Sequence, residues 1–206
     1  MKTPSRKPKA KLLCSETAIL PTRLGPWKIM VFNQVGSADD GCDHVALMRG
    51  DLAGAEGLLT RVHSECETSE VFGSLKCDCN EQLQLAMRRL ARAKAGLLIY
   101  LRQEGRSIGL FNKIRAYHLQ DLGLDTVEAN HQLGLPDDAR DYTVAALLLQ
   151  KLGVRSIRLM TNNPDKVRAL RAAGVTVSAT MRLRVKPNRW DAAYLKTKKT
   201  KMHHDL

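Results

Sequence analysis

The 206-residue chain has a formal net charge of +12, and hydrophobic residues make up 44% of it. These values are typical of one globular domain that buries a real core. No apolar run approaches the roughly 18–20 residues that span a bilayer, and no apolar stretch of signal-peptide length follows the basic N-terminus. We therefore expect a cytoplasmic protein with no membrane segment.

Residues 1–15 are expected to form a basic, disordered leader, and residues 16–206 the catalytic domain. The leader contains five basic residues and no acidic residue before Glu16, and four lysines cluster again between residues 196 and 201. Two interpretations stay open for this charge: solvated, mobile termini, or an arm that binds a polyanion such as nucleic acid. Because aromatic residues make up only 4% of the chain, a base-stacking surface is disfavoured and nucleic acid is an unlikely partner.

The first half of the chain predicts strands followed by a helix and another strand. Alternating apolar residues bounded by turn residues predict three short strands, at Lys28–Asn33, Val45–Arg49 and Leu58–His63. Apolar residues at helical spacing then predict a helix over Asn80–Lys94. A compact apolar strand, Leu97–Leu101, follows Gly96.

The second half predicts more helices than strands. The predicted helices are Asn112–Leu122, a buried helix at Tyr142–Leu152, one that begins at Pro164 with Asn163 as its N-cap and ends at Gly174, and Arg189–Lys201. The predicted strands are Ser156–Met160 and one that opens at Val175–Val177, and residues 123–141 are expected to form a polar loop. The pattern as a whole predicts a single α+β domain with a mixed β-sheet flanked by helices.

Three of the five cysteines fall within fourteen residues, in the pattern Cys66-x10-Cys77-x-Cys79. Zinc prefers thiolate and imidazole ligands, and three protein ligands leave a position for a reactive water. The polar neighbours Glu65 and Asp78 favour a zinc site over three small buried core residues, although spacing alone leaves both interpretations open. His63 is a further candidate ligand, and an iron–sulfur cluster is less suited to three thiols.

Cationic side chains surround this thiol segment and the strand that follows it: Arg61, Arg102, Arg106, Lys113 and Arg115. Arginine suits bidentate contacts to phosphate. The segment Gln103–Gly109 contains two glycines between a strand and a helix, which indicates either an anion-binding loop or an ordinary connection. Thr161 and Lys166 flank another helix start, where phosphate binding and simple capping both fit.

Six segments together resemble the GTP cyclohydrolase II family. They are Arg61-Val62-His63-Ser64-Glu65-Cys66, Cys77-Asp78-Cys79, Gln103-Glu104-Gly105-Arg106, Asn112-Lys113-Ile114-Arg115-Ala116-Tyr117, Asp125-Thr126-Val127-Glu128-Ala129-Asn130 and Thr161-Asn162-Asn163-Pro164. The likeness runs in order from about Leu20 to Met202. The chain departs from the family pattern at several neighbouring positions, including Ser107 after Arg106, without losing a proposed ligand or catalytic group.

The resemblance implies a zinc enzyme that opens the imidazole ring of GTP at C8. Formate and pyrophosphate leave, and the product is 2,5-diamino-6-(5-phosphoribosylamino)pyrimidin-4-one, the first intermediate of riboflavin synthesis. The family also implies one Zn²⁺ per subunit, Mg²⁺ with the triphosphate, and a homodimer. Two alternatives stay open: a variant that stops at the formamido-pyrimidine, and a zinc-stabilised nucleic-acid-binding module.

The resemblance also assigns roles to individual residues. The zinc ligands are Cys66, Cys77 and Cys79. The nucleotide contacts are Arg61, Val62, His63, Ser64, Glu65, Gln82, Glu104, Gly105, Arg106, Thr126, Thr161 and Lys166. In the catalytic set, Asp138 is the proton acceptor, Arg140 the nucleophile toward the α-phosphate, and Tyr117 the residue that assists the zinc-centred chemistry. Since Asp137 adjoins Asp138, the choice between these two carboxylates stays open.

Overall fold

The computed structural model describes residues 11–36, 42–191 and 200. The strands are β1 (Lys11–Cys14), β2 (Ala18–Thr22), β3 (Gly25–Val35), β4 (His44–Arg49), β5 (Leu58–Ser64), β6 (Gly96–Leu101), β7 (Ile157–Met160) and β8 (Val177–Met181). The helices are α1 (Glu67–Glu70), α2 (Cys79–Arg92), α3 (Glu104–Ser107), α4 (Gly109–Asp121), α5 (Thr126–Gln132), α6 (Thr143–Lys151) and α7 (Pro164–Ala172).

All eight strands join one mixed sheet, as the sequence predicts for an α+β domain. The strand order is β1-β3-β4-β6-β5-β7-β8, and β2 pairs with β3. The pairs among β1 to β4, and the β4–β6 pair, are antiparallel, whereas β5 is parallel to both β6 and β7, and β8 is parallel to β7. The carboxyl ends of β5, β6 and β7 therefore point to the same edge of the sheet, where loops can gather a site.

Apolar side chains cover both faces of the sheet. On one face, α6 and α7 contribute Leu148, Leu149 and Leu170 to a large buried cluster. On the other face, Ala86 and Leu90 of α2 pack in a smaller cluster that includes Trp27. Parallel strands are typically covered on both faces, and this packing holds the shared edge of β5, β6 and β7 in place.

The structure differs from the sequence expectations in one strand, one helix and the start of the last strand. Lys11–Cys14 form β1 and not the end of a leader, because Leu12 and Cys14 pack against the larger core. Residues 126–132 form α5 and not a loop, since Asp125 and Glu128 build a capping box at its start. The last strand begins at Val177, after Val175 has closed α7 with a hydrogen bond to Leu170.

Residues 1–10 of the expected leader lie outside the described residues, as do residues 192–199 and 201 of the expected C-terminal helix. Arg189 and Trp190, which that helix was expected to include, lie in a turn. Within the described part of the chain, none of the helices combines the length and the apolar character that crossing a bilayer demands.

Gly50, directly after β4, tests how closely the backbone there approaches the segment Lys94–Ala95 before β6. Its φ is +70°, and an added Cβ would lie 2.5 Å from the Lys94 carbonyl oxygen and 2.9 Å from Ala95 Cα. Because the backbone strain and the overlap with main-chain atoms add together, Gly50→Ala is expected to destabilise the fold by roughly 3 kcal/mol. The matched control is Gly54→Ala, which has a similar φ of +72° and open space around it, and is expected to cost about 1–2 kcal/mol. Denaturant unfolding measures both losses, and equal losses would contradict the close approach of these backbones.

Candidate functional site

A cleft with about 1110 Å³ of empty space, including its opening to solvent, lies at the carboxyl edge of β5, β6 and β7. Sixteen of the predicted site residues line it: Arg61, His63, Ser64, Glu65, Cys66, Cys77, Cys79, Gln82, Glu104, Gly105, Arg106, Tyr117, Thr126, Arg140, Thr161 and Lys166. The other two, Val62 and Asp138, lie just behind the wall and contact residues that line the cleft.

Three cysteine sulfurs meet at one side of the cleft. Cys66 follows β5, whereas Cys77 and Cys79 belong to the loop and first turn of α2. The Sγ atoms of Cys66 and Cys77 are 3.6 Å apart, and all three sulfurs lie within 4.8 Å of one another. Tetrahedral zinc with Zn–S bonds of about 2.3 Å requires sulfurs about 3.8 Å apart, so the donor set fits this metal.

His63 is engaged elsewhere and does not join the sulfurs. Its Nε2 lies 2.6 Å from Glu70 Oε1, and its Nδ1 lies 3.3 Å from an Nη2 of Arg61. Burial lowers the pKa of His63 to about 4, so the ring is neutral at pH 7 and donates Nε2–H to Glu70. Among the described residues, the group that could hold a metal ion therefore consists of the three cysteines alone.

The three thiols share negative charge unequally in the metal-free protein. Hydrogen bonds from Cys77 and Cys79, together with the nearby ammonium of Lys113, hold the pKa of Cys66 well below its ordinary value. The hydrogen bond with Cys66 in turn raises the pKa of Cys77 and of Cys79. The Lys113 ammonium beside Cys66 therefore favours the thiolate form of that sulfur, and thiol protons that remain in the group must leave when a metal binds.

A buried ion pair stands directly behind Cys66. Lys113 of α4 places Nζ 3.1 Å from Cys66 Sγ and 2.7 Å from Glu104 Oε1. The Glu104 carboxylate also accepts the backbone N–H groups of Glu67, at 2.6 Å, and of Gly105, at 2.7 Å. Burial opposes the charge on Lys113, but the negative groups around it outweigh this effect and raise its pKa. The segment expected to supply a phosphate contact through Lys113 instead directs that lysine to the thiol cluster.

Gly105, Arg106 and Ser107 form a left-handed turn rather than a regular helix. Their φ values are 61°, 61° and 69°, so two non-glycine residues adopt a conformation that costs energy. An added Cβ on Gly105 would lie 2.9 Å from the Ile108 side chain. Of the five cations expected near phosphate, Arg61 and Arg106 line the cleft together with Lys113, whereas Arg102 and Arg115 do not.

Arg61 is held rigidly at the floor of the cleft. Its Nη1 donates to the Met160 carbonyl at 2.9 Å, and its Nη2 donates to Gln82 Oε1 at 2.8 Å. Gln82 in turn donates to Asp78, the residue between Cys77 and Cys79, at 2.5 Å. Burial lowers the pKa of Arg61 to about 10, which leaves the guanidinium charged at neutral pH. One hydrogen-bonded chain therefore connects the floor of the cleft to the cysteine loop.

A group of basic side chains also lines the cleft, where α7 begins. Lys166, which is 4% exposed, donates from Nζ to the Val62 carbonyl at 2.6 Å. Burial lowers the pKa of Lys166 well below its ordinary value, and the neighbouring charges of Arg61 and Arg140 lower it further. Thr161 accepts the N–H of Asn163, the N-cap of α7, which holds Lys166 at the start of this helix. Such a group of positive charges suits an anionic ligand.

Asp138 is the carboxylate that contacts Arg140. Arg140 donates from Nε to Asp138 Oδ1 at 2.8 Å and from Nη2 to Oδ2 at 2.5 Å. Burial alone would raise the pKa of Asp138, but these hydrogen bonds outweigh it and lower the pKa. The Asp137 carboxylate instead faces His131 at 2.9 Å. Geometry therefore separates the two carboxylates that the sequence leaves as alternatives.

Tyr117 lies on α4 beside the thiol group. The Nζ atoms of Lys76 and Lys113 lie 4.9 and 5.7 Å from the centre of its ring. Burial raises its pKa to about 12, so the hydroxyl keeps its proton at neutral pH. Thr126, the first residue of α5, lines the cleft, and the capping box formed by Asp125 and Glu128 fixes the start of that helix.

Sequence reasoning missed Gln103, Asn130 and Glu70. Gln103 lines the cleft, is 2% exposed, and donates from Nε2 to the Asp141 carbonyl at 2.6 Å. Glu70 accepts hydrogen bonds from both His63 and the Tyr100 hydroxyl. Gln103 and Asn130 belong to the motifs quoted above, which is the signal that would have found them. Glu70 has no such signal, since its role depends on a contact across thirty residues.

The buried neutral state of His63 predicts a dependence of stability on pH. Its folded pKa of about 4 lies below the ordinary value of 6.5, so the unfolded chain binds more protons between these values. The stabilising contribution is complete above pH 6.5 and is lost as the pH falls toward 4, to a total of about 3 kcal/mol. We expect His63→Gln to flatten this part of the curve of unfolding free energy against pH. If the curves of unfolding free energy against pH were parallel for the variant and the original protein, the assignment of this pH dependence to His63 would be wrong.

Comparison with known proteins agrees with this geometry. The family model described as GTP cyclohydrolase II matches residues 14–182. A GTP cyclohydrolase-2 of Shewanella oneidensis is 50% identical over 188 residues, which is 91% of this chain and 91% of that protein. A riboflavin biosynthesis protein of Endomicrobium trichonymphae is 45% identical over 91% of this chain and 46% of its own length.

Among solved structures, a two-domain 3,4-dihydroxy-2-butanone 4-phosphate synthase from A. baumannii is similar over 87% of this chain and 42% of that chain. Its TM-score is 0.45 and its identity 18%, so the likeness is distant. The family match spans most of the chain, and the first relative is aligned over nearly its full length. The chain belongs to the GTP cyclohydrolase II family.

Proposed function

We propose that the protein is a zinc-dependent GTP cyclohydrolase II that catalyses the first step of riboflavin biosynthesis. The reaction opens the imidazole ring of GTP at C8, releases formate and pyrophosphate, and leaves 2,5-diamino-6-(5-phosphoribosylamino)pyrimidin-4-one. One observation carries the proposal: three cysteine sulfurs at zinc spacing border a cleft that Arg61, Arg140 and Lys166 also line. The family membership supports the same reaction.

The residues that would hold zinc are Cys66, Cys77 and Cys79, since their sulfurs match its preferred donors and spacing. Zinc held there supplies Lewis acidity and activates water for the two hydrolytic steps at C8. Tyr117, protonated at neutral pH, is a hydrogen-bond donor beside these ligands. We assign it the role of assisting the zinc-centred steps.

The group of basic side chains in the cleft accounts for triphosphate binding. Arg61, Arg106, Arg140 and Lys166 all line the cleft, and arginine and lysine bind phosphate oxygens through charge-assisted hydrogen bonds. Mg²⁺ arrives with the triphosphate, whose charge it offsets. Because like charges crowd Lys166, binding of an anion there relieves their mutual repulsion. With the triphosphate bound there, the guanine base is directed toward the three cysteines.

Arg140 and Asp138 are proposed to act together on the α-phosphate. An Nη atom of Arg140 attacks the α-phosphorus, the bond to the bridging oxygen breaks, and pyrophosphate leaves with the electron pair. A guanidinium is protonated at neutral pH and is a poor nucleophile, so it must lose a proton during the attack. The hydrogen bond from Nη2 to Asp138 Oδ2 gives this proton a direct acceptor. Water later cleaves the phosphorus–nitrogen bond.

A second candidate keeps the same site and stops at the formamido-pyrimidine. Incubating the purified protein with GTP and Mg²⁺, while following formate, pyrophosphate and pyrimidine together, tests both candidates. Equal amounts of formate and pyrophosphate are expected from the full reaction, and pyrophosphate without formate would favour the shorter one. The cytoplasmic location and the homodimer are part of the proposal, and ultracentrifugation of the purified protein tests the latter.

Cys66→Ser is expected to lose most of its bound zinc and to lower formate release by roughly 100-fold or more, because one of three metal ligands is replaced by a poor one. Metal analysis and a formate assay measure the two effects. The matched control is Cys42→Ser, since Cys42 lies outside the thiol group and contacts the Arg102 carbonyl. Normal turnover by the Cys66 variant would refute the zinc mechanism.

Arg140→Ala is expected to lower pyrophosphate release by at least roughly 10³-fold while zinc content stays normal, because the variant removes the proposed nucleophile and leaves the cysteines untouched. A stopped-time pyrophosphate assay measures this loss. Arg155→Ala removes an exposed arginine that pairs with Glu56 and serves as the matched control. Unchanged pyrophosphate kinetics in the Arg140 variant would rule out its role as nucleophile.

A further inference from the structure

Lys113 is the buried cation whose position the proposed reaction does not explain. It is 9% exposed, and its ammonium lies between a sulfur and a carboxylate, 3.1 Å from Cys66 Sγ and 2.7 Å from Glu104 Oε1. Both contacts are within the range of charge-assisted hydrogen bonds. Lysine is rarely buried unless paired, so this geometry has a specific cause.

Glu104 aims this ammonium at the sulfur and has little capacity left for another partner. Its Oε2 accepts the N–H of Glu67, the residue directly after Cys66, and its Oε1 accepts both the N–H of Gly105 and the Lys113 ammonium. The Lys113–Glu104 pair therefore contacts the Cys66 segment at two points: the Cys66 sulfur and the backbone N–H of Glu67. A lysine that served only to bind phosphate would need a free ammonium directed into the cleft.

The balance of charge at the metal explains why an ammonium lies beside the Cys66 sulfur. Three thiolates around one Zn²⁺ leave a net charge of about −1, and a buried negative centre is costly without a partner. Electron donation by three thiolates also weakens zinc as a Lewis acid, whereas a hydrogen bond to a sulfur withdraws part of that electron density. One ammonium beside one sulfur offsets both effects.

We infer that Lys113, aimed by Glu104, is a positioning residue that fixes Cys66 and tunes the electron donation of its thiolate to the metal. This inference rests on the proposed zinc site. It assigns the Lys113–Glu104 pair to the metal centre rather than to the triphosphate.

The test compares Lys113→Met, which keeps the length and removes the charge, with Lys113→Arg, which keeps a cationic donor. Each purified variant is loaded with Zn²⁺ or with Co²⁺, which absorbs light through its thiolate ligands. Removing the hydrogen bond raises the energy of the sulfur lone pairs, so the thiolate-to-cobalt band of Lys113→Met is expected to move to longer wavelength. Zinc transfer to a chromogenic chelator is expected to be about 10-fold faster.

Lys113→Arg is expected to restore the band position and most of the slow zinc release. If Lys113 only filled space, recovery would not depend on whether the replacement carries a positive charge. If Lys113→Met does not fold, Glu104→Gln provides a second measurement, since it retains the shape of the pair and weakens the aim of the ammonium. It is expected to produce a smaller shift in the same direction.

An unshifted cobalt band together with unchanged zinc release in a folded Lys113→Met would overturn the inference. A loss of GTP binding with an unchanged metal centre would also overturn it, and would place Lys113 among the phosphate contacts. Failure of the original protein to bind either metal would instead contradict the proposed zinc function. The two failures are therefore distinguishable.

Discussion

Three sulfur atoms from two separate segments of the chain stand at a spacing that one tetrahedral metal ion accepts, and the architecture of the site depends on this convergence. Cys66 lies two residues after the end of β5, so the parallel strands fix its position. Cys77 and Cys79 are fixed by α2, whose Ala86 and Leu90 pack on the sheet. The chain of hydrogen bonds from Arg61 through Gln82 to Asp78 connects the two segments. A shift of either segment would separate the sulfurs.

Two groups of side chains with different charge line the cleft. In one, the thiols and Glu104 surround the ammonium of Lys113, which balances their negative charge. In the other, Lys166 lies near Arg61 and Arg140 as well as Asp138, and its hydrogen bond goes to a neutral carbonyl. An incoming anion is therefore expected to pair with the group around Lys166, whereas the positive charge of Lys113 is already balanced by Cys66 and Glu104. Under the proposed function, the phosphates of the nucleotide are expected toward Lys166 and its base toward the cysteines.

Much of the fold and of the candidate site could be predicted from local sequence. The apolar patterns located β5, β6 and α2, and the Asn163–Pro164 pair located the start of α7, because these signals lie within one segment. The cysteine spacing favoured a metal site, although it left three buried core residues as an alternative. The capping box of α5 was readable in Asp125 and Glu128, but the polar composition around it masked the helix. Lys11–Cys14 resembled a charged tail because their partners in β3 lie about twenty residues away.

Contacts between distant segments set the limit of sequence reasoning. The choice between Asp137 and Asp138 depends on how the loop folds around Arg140, and the partner of Lys113 depends on how α4 packs beside Cys66. Neither contact follows from residue type, since a lysine among arginines reads equally well as a phosphate contact. The family resemblance supplied residue roles, whereas the structure supplies the contacts through which they act.

X-ray absorption at the zinc edge of the purified protein tests the central claim most directly, because it reports the number and type of atoms bound to the metal. The account predicts one zinc per chain with three sulfurs at about 2.3 Å and one lighter oxygen or nitrogen atom at about 2.0 Å. Four sulfurs, an imidazole signature from His63, or a protein that turns over GTP without zinc would contradict it.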